Sequence, residues 1–341
     1  MNSKRFVFEK NIAPYFFCVF LFSCQNKDKP RLSFYYWKTN FQLSEKENQT
    51  LSANKVTKIY IRYFDVDLHP DTGFPYPVSP IYFEQKINSF QVIPVVYIKN
   101  KVFKSLEINT RDLAQKIVDF IGQINRKNQI STTEIQIDCD WTESTKERYL
   151  SFLKELKEVS KKKLSATIRL HQVKYFKKTG IPTVDYGVLM FYNMGAIAPN
   201  PKNSIYDSEI AQRYLSSLKK YPLRLNVALP IFSWAIHIRN EKVIGLRNKI
   251  NWYDFEKDKH FISLKNNWLE VVSSNFKHGV FYRKGDKLKP ESVSDGILLQ
   301  MAQELNENLR VKPTEIIVYD LDEFNLNHYE DNIFEKLCTC F

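Results

Sequence analysis

Eight short segments of the chain are rich in β-branched and aromatic residues, and several of them have a nearly continuous apolar core. Runs of this kind are typical of parallel strands that are buried on both faces. The sequence therefore predicts eight strands, at residues 32–39, 58–68, 91–98, 134–141, 163–172, 186–195, 223–234 and 314–324.

Apolar residues recur at helical spacing behind several of these strands, most clearly in residues 110–125, 144–160 and 207–219. The second of these segments begins with Ser144, and Glu147 follows three residues later, which is the pattern of a capping box. Strands that alternate with helices eight times predict an α/β chain that closes into a (β/α)8 TIM barrel. A doubly wound open sheet is the alternative.

A long insertion, residues 235–312, separates the seventh predicted strand from the eighth. It contains strand-like pieces at 243–246 and 278–285 and a helical pattern near 294–309. We assign residues 32–341 to one barrel domain that includes this insertion.

The composition narrows the classes of function. The 341 residues are 43% hydrophobic and 26% charged, as expected for a globular protein with a large core. Nine residues are glycine and neither glycine-rich nucleotide motif occurs, so nothing points to a bound nucleotide. No two cysteines have C-x-x-C spacing, and no loop has the ligand spacing of a calcium site. We therefore predict no cofactor and no metal.

The net charge of +12 comes from basic residues that are scattered along the chain. The one run, Lys161 to Lys163, lies at the end of a predicted helix and is typical of a solvated helix end. We predict no nucleic-acid partner. Binding of a polyanion, such as an acidic glycan or an anionic lipid, stays open as an alternative without a defined site.

The first 23 residues have the features of a signal peptide, a basic start followed by an apolar run at 12–23 that is too short to span a bilayer. The sequence LFSC at 21–24 resembles a bacterial lipobox. This resemblance implies that Cys24 is lipidated and that residues 24–31 form a tether. The protein would then lie in the bacterial cell envelope, outside the cytoplasm, with the membrane as a partner through its lipid anchor. A plain secretory signal or an uncleaved anchor is the alternative.

In a TIM barrel the functional site lies at the carboxyl ends of the strands, so polar and aromatic residues there are candidates. Three strands end in acids two residues apart, and this spacing puts both acids on one side of the strand, which we assign to the interior. These acids are Asp65 with Asp67, Asp138 with Asp140, and Asp320 with Asp322. The other candidates are Trp37, Trp141, Arg169, His171, Tyr192, Asn193 and Trp234.

Two carboxylates at close range repel, so one acid of a pair should have a raised pKa unless Arg169 or a bound cation compensates. Such pairs suit acid–base chemistry on a sugar, with aromatic residues as stacking surfaces. In the alternative interpretation the acids pair with Arg169 and Arg62 in a structural network. His171 is interpreted either as a hydrogen-bonded structural residue or, beside Arg169, as a ligand for hydroxyl groups.

Three fragments resemble motifs of family-18 glycoside hydrolases, the chitinases and endo-N-acetylglucosaminidases. IDCDW at 137–141 resembles the fourth-strand motif D-x-x-D-x-D-x-E, MFYN at 190–193 the sixth-strand motif M-x-Y-D, and ALPIFSW at 228–234 the seventh-strand motif G-L-P-x-Y-G-R. The fragments occur in the order and spacing of the family. The alternation of strands and helices extends the resemblance over nearly all of the chain after the leader.

The resemblance implies a substrate-assisted, retaining hydrolase in which the final Glu of the fourth-strand motif protonates the leaving oxygen. It also implies that Asp138 and Asp140 match the second and third Asp of that motif. The third Asp orients the acetamido group of the substrate, with help from the sixth-strand Tyr, here Tyr192. We therefore assign the catalytic positions to Asp138, Asp140 and Tyr192.

The chain departs from the motifs at three positions: Ile135 replaces the first Asp, Thr142 the final Glu, and Asn193 the Asp of the sixth strand. Threonine is too weak an acid to protonate a leaving group. Glu143 lies beside it, where an acid suits the N-terminus of the following helix. Either hydrolysis has been lost or another strand supplies the acid, the candidates being Asp67, Asp320, Asp322 and Glu323.

We therefore expect a lipid-anchored barrel that binds or hydrolyses an oligosaccharide outside the cytoplasm. Trp37, Trp141 and Trp234 would stack on sugar rings. Two alternatives remain, a non-catalytic glycan-binding barrel, which Thr142 favours, and a structural or assembly lipoprotein without a ligand.

Overall fold

The computed structural model describes residues 29–87 and 89–341. The predicted signal peptide at 1–23, the lipidation site Cys24 and most of the tether predicted at 24–31 lie outside the described residues. No helix in the described part of the chain is both long enough and apolar enough to cross a lipid bilayer.

Eight parallel strands form a closed barrel, because β1 pairs with β2 on one side and with β8 on the other. All eight predicted strands are confirmed, and the open-sheet alternative is wrong. The strands are Arg31–Tyr36 (β1), Lys58–Leu68 (β2), Gln91–Ile98 (β3), Glu134–Asp138 (β4), Lys163–Arg169 (β5), Tyr186–Met190 (β6), Leu225–Pro230 (β7) and Glu315–Tyr319 (β8).

Helices cover the outside of the barrel and bury the apolar face of each strand. The predicted helical segments are confirmed with bounds that differ by a few residues from those of the sequence patterns. The helices in this layer are Glu45–Ala53, Lys101–Lys104, Thr110–Asn128, Lys146–Ser160, Leu170–Lys174, Phe176–Thr179, Ser208–Leu218, Asp295–Asn308, Glu323–Leu326 and Ile333–Thr339.

The start of the helix Lys146–Ser160 differs from the prediction. Thr145, not Ser144, precedes the first helical residue, and no capping box forms with Glu147. Thr145 is buried, and its hydroxyl accepts a hydrogen bond from the Thr142 backbone N–H at 3.0 Å and donates one to Asn100 Oδ1 at 2.7 Å. The residue before the helix is therefore engaged in a tertiary contact with Asn100, which the sequence pattern does not show.

β2 contains an irregularity and extends beyond the barrel. The pairing of β2 with β3 shifts between Arg62 and Phe64, so that Tyr63 is an extra residue in the strand. Such a bulge bends the strand locally. Beyond it, β2 continues past the barrel and pairs antiparallel with the short strand Pro75–Val78. Asp65 remains at the barrel rim, whereas the second acid lies on this extension, opposite Tyr76.

The insertion between β7 and β8 forms a second, antiparallel sheet with its own small core. Five strands pair in the order Lys242–Asn248, Trp234–Arg239, Lys287–Glu291, Leu269–Val271 and Phe261–Ser263. A hairpin, Asn275–Lys277 with Val280–Tyr282, and the helix Trp252–Glu256 complete it. The apolar core consists of Phe255, Phe261, Leu269, Val271, Tyr282 and Leu288.

The helix Asp295–Asn308, which falls within the predicted insertion 235–312, belongs structurally to the barrel. It packs on β7 and against the helices Ser208–Leu218 and Ile333–Thr339. The extra sheet therefore spans about 234–291, and the chain returns to the helix layer before β8.

The N-terminal end of the barrel interior is filled by a buried hydrogen-bonded network. Lys58 Nζ lies 3.0 Å from Glu315 and 3.5 Å from Glu134, and Tyr60 and Tyr186 join these acids through their hydroxyl groups. Buried charges are tolerated where they are paired and hydrogen-bonded in this way. Interior space remains at the opposite end, where the strands terminate.

Candidate functional site

A cavity of about 380 Å³ opens at the carboxyl ends of the barrel strands. We call it the central cavity. Seven of the predicted site residues line it, contributed by β1, β2, β4, β5 and β6 or by the residues that follow these strands: Trp37, Asp65, Asp138, Asp140, Arg169, Tyr192 and Asn193. The fold thus brings together residues that are as much as 156 positions apart in the sequence, from Trp37 to Asn193.

Asp138 forms the floor of the central cavity. It is the last residue of β4 and is 6% exposed, and one of its oxygens accepts a hydrogen bond from the Thr167 hydroxyl at 2.6 Å. Burial, together with the negative charge of Asp140, raises the pKa of Asp138 to about 6. Near neutral pH this carboxyl group therefore exchanges readily between its protonated and ionised forms.

Two arginine–aspartate pairs flank this floor. Arg169 holds Asp140 with Nε 2.6 Å from Oδ1 and Nη2 3.1 Å from Oδ2, and Arg62 holds Asp65 with Nε and Nη2 each 2.7 Å from an oxygen. Side-on pairs of this kind fix both side chains in one geometry. The ion-paired network expected as an alternative is therefore present, and it lies in the wall of the cavity.

Aromatic rings make up much of the remaining wall. Tyr192 stacks on Tyr319 with ring centroids 5.5 Å apart and an interplanar angle of 22°. Trp37 meets both Tyr35 and Tyr319 edge to face. The Tyr192 hydroxyl is buried without a hydrogen-bond partner in the described part of the chain. A buried group of this kind costs about 1–3 kcal/mol unless a ligand or water satisfies it.

Thr142 lies where the family-18 motif has its acid. The residue is exposed, and its hydroxyl is 3.0 Å from the Ser144 hydroxyl. Glu143 is also exposed, and neither residue is among those that line the central cavity. In the described structure no carboxyl group takes the place of the missing glutamate on this loop.

Trp141 does not lie in the cavity, so its predicted role in stacking on a sugar does not fit the structure. It is fully buried behind β4, where its ring stacks on Tyr149 with centroids 4.7 Å apart and its indole N–H donates to the Thr179 carbonyl at 2.8 Å. Successive residues of a strand point to opposite faces. The alternation that directs Asp138 and Asp140 inward therefore directs Trp141, like Cys139, towards the helices.

The second acid of β2 also lies outside the cavity. Asp67 is held on the strand extension by Lys99 at 2.5 Å and Lys101 at 2.6 Å. Although burial opposes the charged form, these hydrogen bonds from Lys101 and Lys99 lower the pKa of Asp67 to about 2. Its position differs from the prediction because β2 continues beyond Ile98, the end of β3, and pairs there with Pro75–Val78.

The two acids after β8 face away from the barrel interior, contrary to the prediction, because Tyr319 is the residue there that points inward. Asp320 accepts a hydrogen bond from Asn325 at 2.7 Å, and burial next to Asp322 raises the pKa of Asp320 to about 6. Asp322 is buried between Lys249 at 2.6 Å and Lys38 at 3.2 Å. Both acids therefore stabilise the loop after β8.

Two further candidates lie elsewhere. His171 is on the exposed side of the helix Leu170–Lys174 and does not line the central cavity. Trp234 begins the inserted sheet and lines a separate cavity beside the central one.

Six residues line the central cavity that the sequence prediction did not assign to it: Tyr35, Arg62, Tyr97, Thr167, Met190 and Tyr319. The two-residue alternation of side chains along a strand predicts that four of them face the interior. Tyr35 is two residues before Trp37, Thr167 is two before Arg169, and Tyr97 and Tyr319 continue the inward positions of β3 and β8. Arg62 was foreseen only as a partner for an acid.

The cavity presents both hydrogen-bond donors and hydrogen-bond acceptors beside aromatic faces. The guanidinium groups and the Tyr192 hydroxyl can donate, and the carboxylates and the Asn193 amide can accept. Within the described residues no three His, Cys, Asp or Glu side chains are arranged to hold a metal ion. The arrangement suits a neutral ligand that carries several hydroxyl or amide groups.

Comparison of the sequence with protein-family models and with curated proteins yields no match. Comparison of the structure does yield matches. A chitinase-like agglutinin from Robinia pseudoacacia aligns over 90% of this chain and 98% of its own, with a TM-score of 0.53 and 11% identity. A family-18 chitinase from Cycas revoluta, solved with allosamidin, aligns over 91% and 98%, with a TM-score of 0.51 and 12% identity.

A chitinase from Bacteroides thetaiotaomicron aligns over 89% of this chain and 94% of its own, with a TM-score of 0.50 and 10% identity. At such low identity these similarities concern the fold alone. They include both chitinases and an agglutinin, and each covers about nine tenths of this chain. The chain has the fold of family-18 chitinases and chitinase-like proteins.

Proposed function

We propose that this protein is a glycan-binding barrel that holds an oligosaccharide in the central cavity and does not hydrolyse it. One observation carries the proposal: the carboxylates and aromatic rings converge at the barrel mouth, while the loop position of the catalytic acid is occupied by the exposed Thr142. The binding features are therefore present and the proton donor on that loop is not.

The pairing of Asp140 supports binding over catalysis. Both of its oxygens are engaged by Arg169, so it is not free to turn towards a reacting substrate without first breaking a charge-assisted pair. The same pair leaves the guanidinium Nη1 group available as a donor to a sugar oxygen. Trp37 offers an aromatic surface on the neighbouring wall.

The test is a titration of the full chain with chitotriose, a trimer of the type found in the Cycas revoluta complex, followed by chromatographic analysis of the same mixture. We expect measurable binding and unchanged chitotriose after long incubation. Trp37→Ala should weaken binding at least about tenfold. Trp268→Ala is the matched control, since Trp268 lines neither this cavity nor the one beside it.

Formation of shorter sugars would overturn the proposed absence of hydrolysis. If the protein binds neither chitotriose nor any oligosaccharide on a broad glycan array, it belongs instead to the structural or assembly class.

Hydrolysis is the second candidate function, and the raised pKa of Asp138 favours it. A carboxyl group with a pKa of about 6 is a suitable general acid near neutral pH. In that case Asp138→Asn and Asp140→Asn should each reduce turnover by orders of magnitude, and the rate should fall as the pH rises above about 6. A rate that Asp138→Asn leaves unchanged would exclude Asp138 as the acid.

We also propose that the barrel is tethered outside the cytoplasm of a bacterial cell through lipid on Cys24. The support is the basic start, the short apolar run and the lipobox-like LFSC at 21–24. Acyl chains contribute about 0.8 kcal/mol per buried CH₂ group, so several chains anchor a protein stably.

A further inference from the structure

We propose that the chain carries a second carbohydrate site, in the cavity between the end of β7 and the inserted sheet. This insertion cavity has a volume of about 490 Å³, larger than the central one. Its walls come from the residues after β7, from the helix and turn of the insertion, and from the loop that follows the helix Glu323–Leu326. Its size suits one or two sugar rings.

The two cavities are separate. Phe232 lies between them. On the side of the insertion cavity its ring centroid is 5.1 Å from that of Trp234. On the side of the central cavity it is 5.9 Å from the ring centroid of Tyr192 and 5.7 Å from that of Tyr319. Within the described chain the two sets of lining residues have no member in common. The inference therefore does not depend on the function proposed for the central cavity.

The Trp234 ring is held in place by a buried polar network. Its indole N–H donates to Glu291 Oε2 at 2.8 Å, and the Ser204 hydroxyl donates to the same oxygen. Glu291 and Lys289 are each 2% exposed, and Lys289 Nζ lies 2.6 Å from Glu291 Oε1. A buried ion pair is expensive to assemble. Here it fixes the orientation of a half-buried indole ring at the wall of an open cavity.

Most of the remaining polar side chains of the cavity carry amides or hydroxyls, and one, His328, carries an imidazole. Asn266 and Asn267 line the cavity and are exposed, so their side-chain amides are accessible to a ligand. Ser233 and Ser292 contribute hydroxyl groups, and Trp252 contributes a second indole ring. Amides and hydroxyls both donate and accept hydrogen bonds, as recognition of sugar hydroxyl groups requires.

The charges of the cavity exclude an anionic ligand as the preferred occupant. No lysine or arginine is among the described residues that line it, although the whole chain carries a net charge of +12. The acidic lining residues are Glu291, which Lys289 neutralises, and Asp295 at the first turn of the helix Asp295–Asn308, and the one titratable base in the described lining is His328. Two indole rings, six asparagine and serine side chains and the absence of lysine and arginine from this described lining together favour a neutral sugar.

The test uses the full chain, chitotriose and maltotriose as probes, and titration calorimetry. We expect the trisaccharide that binds in the insertion cavity still to bind to Trp37→Ala and to Asp140→Asn. Trp252→Ala and Asn267→Ala should each weaken this binding at least about tenfold. Trp268→Ala, adjacent to Asn267 in the chain but outside the cavity wall, should leave this binding unchanged. Thermal melting of each variant identifies any that fails to fold. Because Asn267 is exposed, we expect Asn267→Ala to fold, so the test can be read even if Trp252→Ala does not.

Each outcome has a distinct meaning. Binding that disappears in Trp37→Ala and Asp140→Asn but persists unchanged in Trp252→Ala and Asn267→Ala overturns the inference and supports the central site. Binding that disappears in Trp252→Ala and Asn267→Ala but persists unchanged in Trp37→Ala and Asp140→Asn supports the inference and overturns the function proposed for the central cavity. If neither trisaccharide binds to the unmodified chain, the second site is overturned for neutral glucosyl and N-acetylglucosaminyl sugars.

Discussion

Arg169 and Asp140 form a side-on salt bridge with two hydrogen bonds, with Nε 2.6 Å from Oδ1 and Nη2 3.1 Å from Oδ2. The two residues follow or end neighbouring strands, β4 and β5, so the pair closes one side of the barrel mouth. Both carboxylate oxygens of Asp140 are satisfied within the protein. The neighbouring Asp138 lacks such a partner and instead shares a hydrogen bond with Thr167, and this difference between two acids of one strand determines how each responds to substitution and to pH.

Tyr192→Phe separates ligand binding from stability. Because the Tyr192 hydroxyl is buried without a partner among the described residues, its removal should leave the free energy of unfolding unchanged or raise it by up to about 1–3 kcal/mol. Binding of chitotriose should weaken about tenfold if that hydroxyl donates to the ligand. Urea denaturation and calorimetry measure the two quantities.

Tyr35→Phe is the control for this substitution. The Tyr35 hydroxyl donates to Gln136 at 2.6 Å, so its loss should reduce stability by about 1 kcal/mol. Equal losses of stability in both tyrosine variants would contradict the interpretation of Tyr192.

Asp138→Asn should change how stability depends on pH. The pKa of Asp138 is about 6 in the folded protein and about 3.9 in an unfolded chain, so the folded state binds the proton more tightly. The wild-type protein therefore loses stability as the pH rises from about 4 to about 6, by an amount on the order of 3 kcal/mol. The asparagine variant should lack this loss, so its free energy of unfolding should rise relative to that of the wild type across the interval. Urea denaturation at several pH values measures the difference. Parallel pH profiles would show that Asp138 ionises without penalty.

Asp67→Asn should show the opposite pH dependence. The pKa of Asp67 is lowered to about 2, so its contribution to stability is present above about pH 4 and is lost as the pH falls towards 2. The variant should be less stable than the wild type at pH 7, and the difference should shrink between pH 5 and pH 3. A difference that grows in acid would contradict the ion pairs with Lys99 and Lys101.

Trp141→Ala tests whether this tryptophan belongs to the core or to a ligand site. Because Trp141 is fully buried and stacks on Tyr149, the substitution should cost about 3–5 kcal/mol of stability. The folded fraction should bind chitotriose with nearly wild-type affinity. Stability comes from chemical denaturation and affinity from calorimetry at low temperature, and Trp37→Ala, with the reverse pattern, is the comparison.

Cys24→Ser tests the proposed anchor. The variant expressed in bacteria should move from the membrane fraction to the soluble fraction, because no acyl chain can then be attached. Fractionation followed by immunoblotting measures the change, with Cys338→Ser as the matched control in the carboxyl-terminal helix. A Cys24→Ser protein that stays with the membrane would show that the anchor assignment is wrong.

The strand pattern predicted the barrel because each of its eight strands is buried on both faces and leaves a local apolar signature. The resemblance to family-18 glycoside hydrolases placed Asp138, Asp140 and Tyr192 at one site, and the structure brings them together in the central cavity. Their roles in binding or catalysis stay predictions. The signal peptide and the lipid anchor also stay predictions, since they concern residues outside the described chain.

The sequence by itself determined the order of the strands and, through two-residue alternation, most of the side chains that face the interior. Only the tertiary structure decided which rim residues remain in contact. The extension of β2 beyond the end of β3 carries Asp67 out of the cavity that Asp65 lines. The inward position of Tyr319 leaves Asp320 bonded to Asn325 and Asp322 paired with Lys38 and Lys249. Alternation is a property of neighbours in the chain. Where a strand bends, and which cation meets an acid, depends on packing between segments that are distant in sequence.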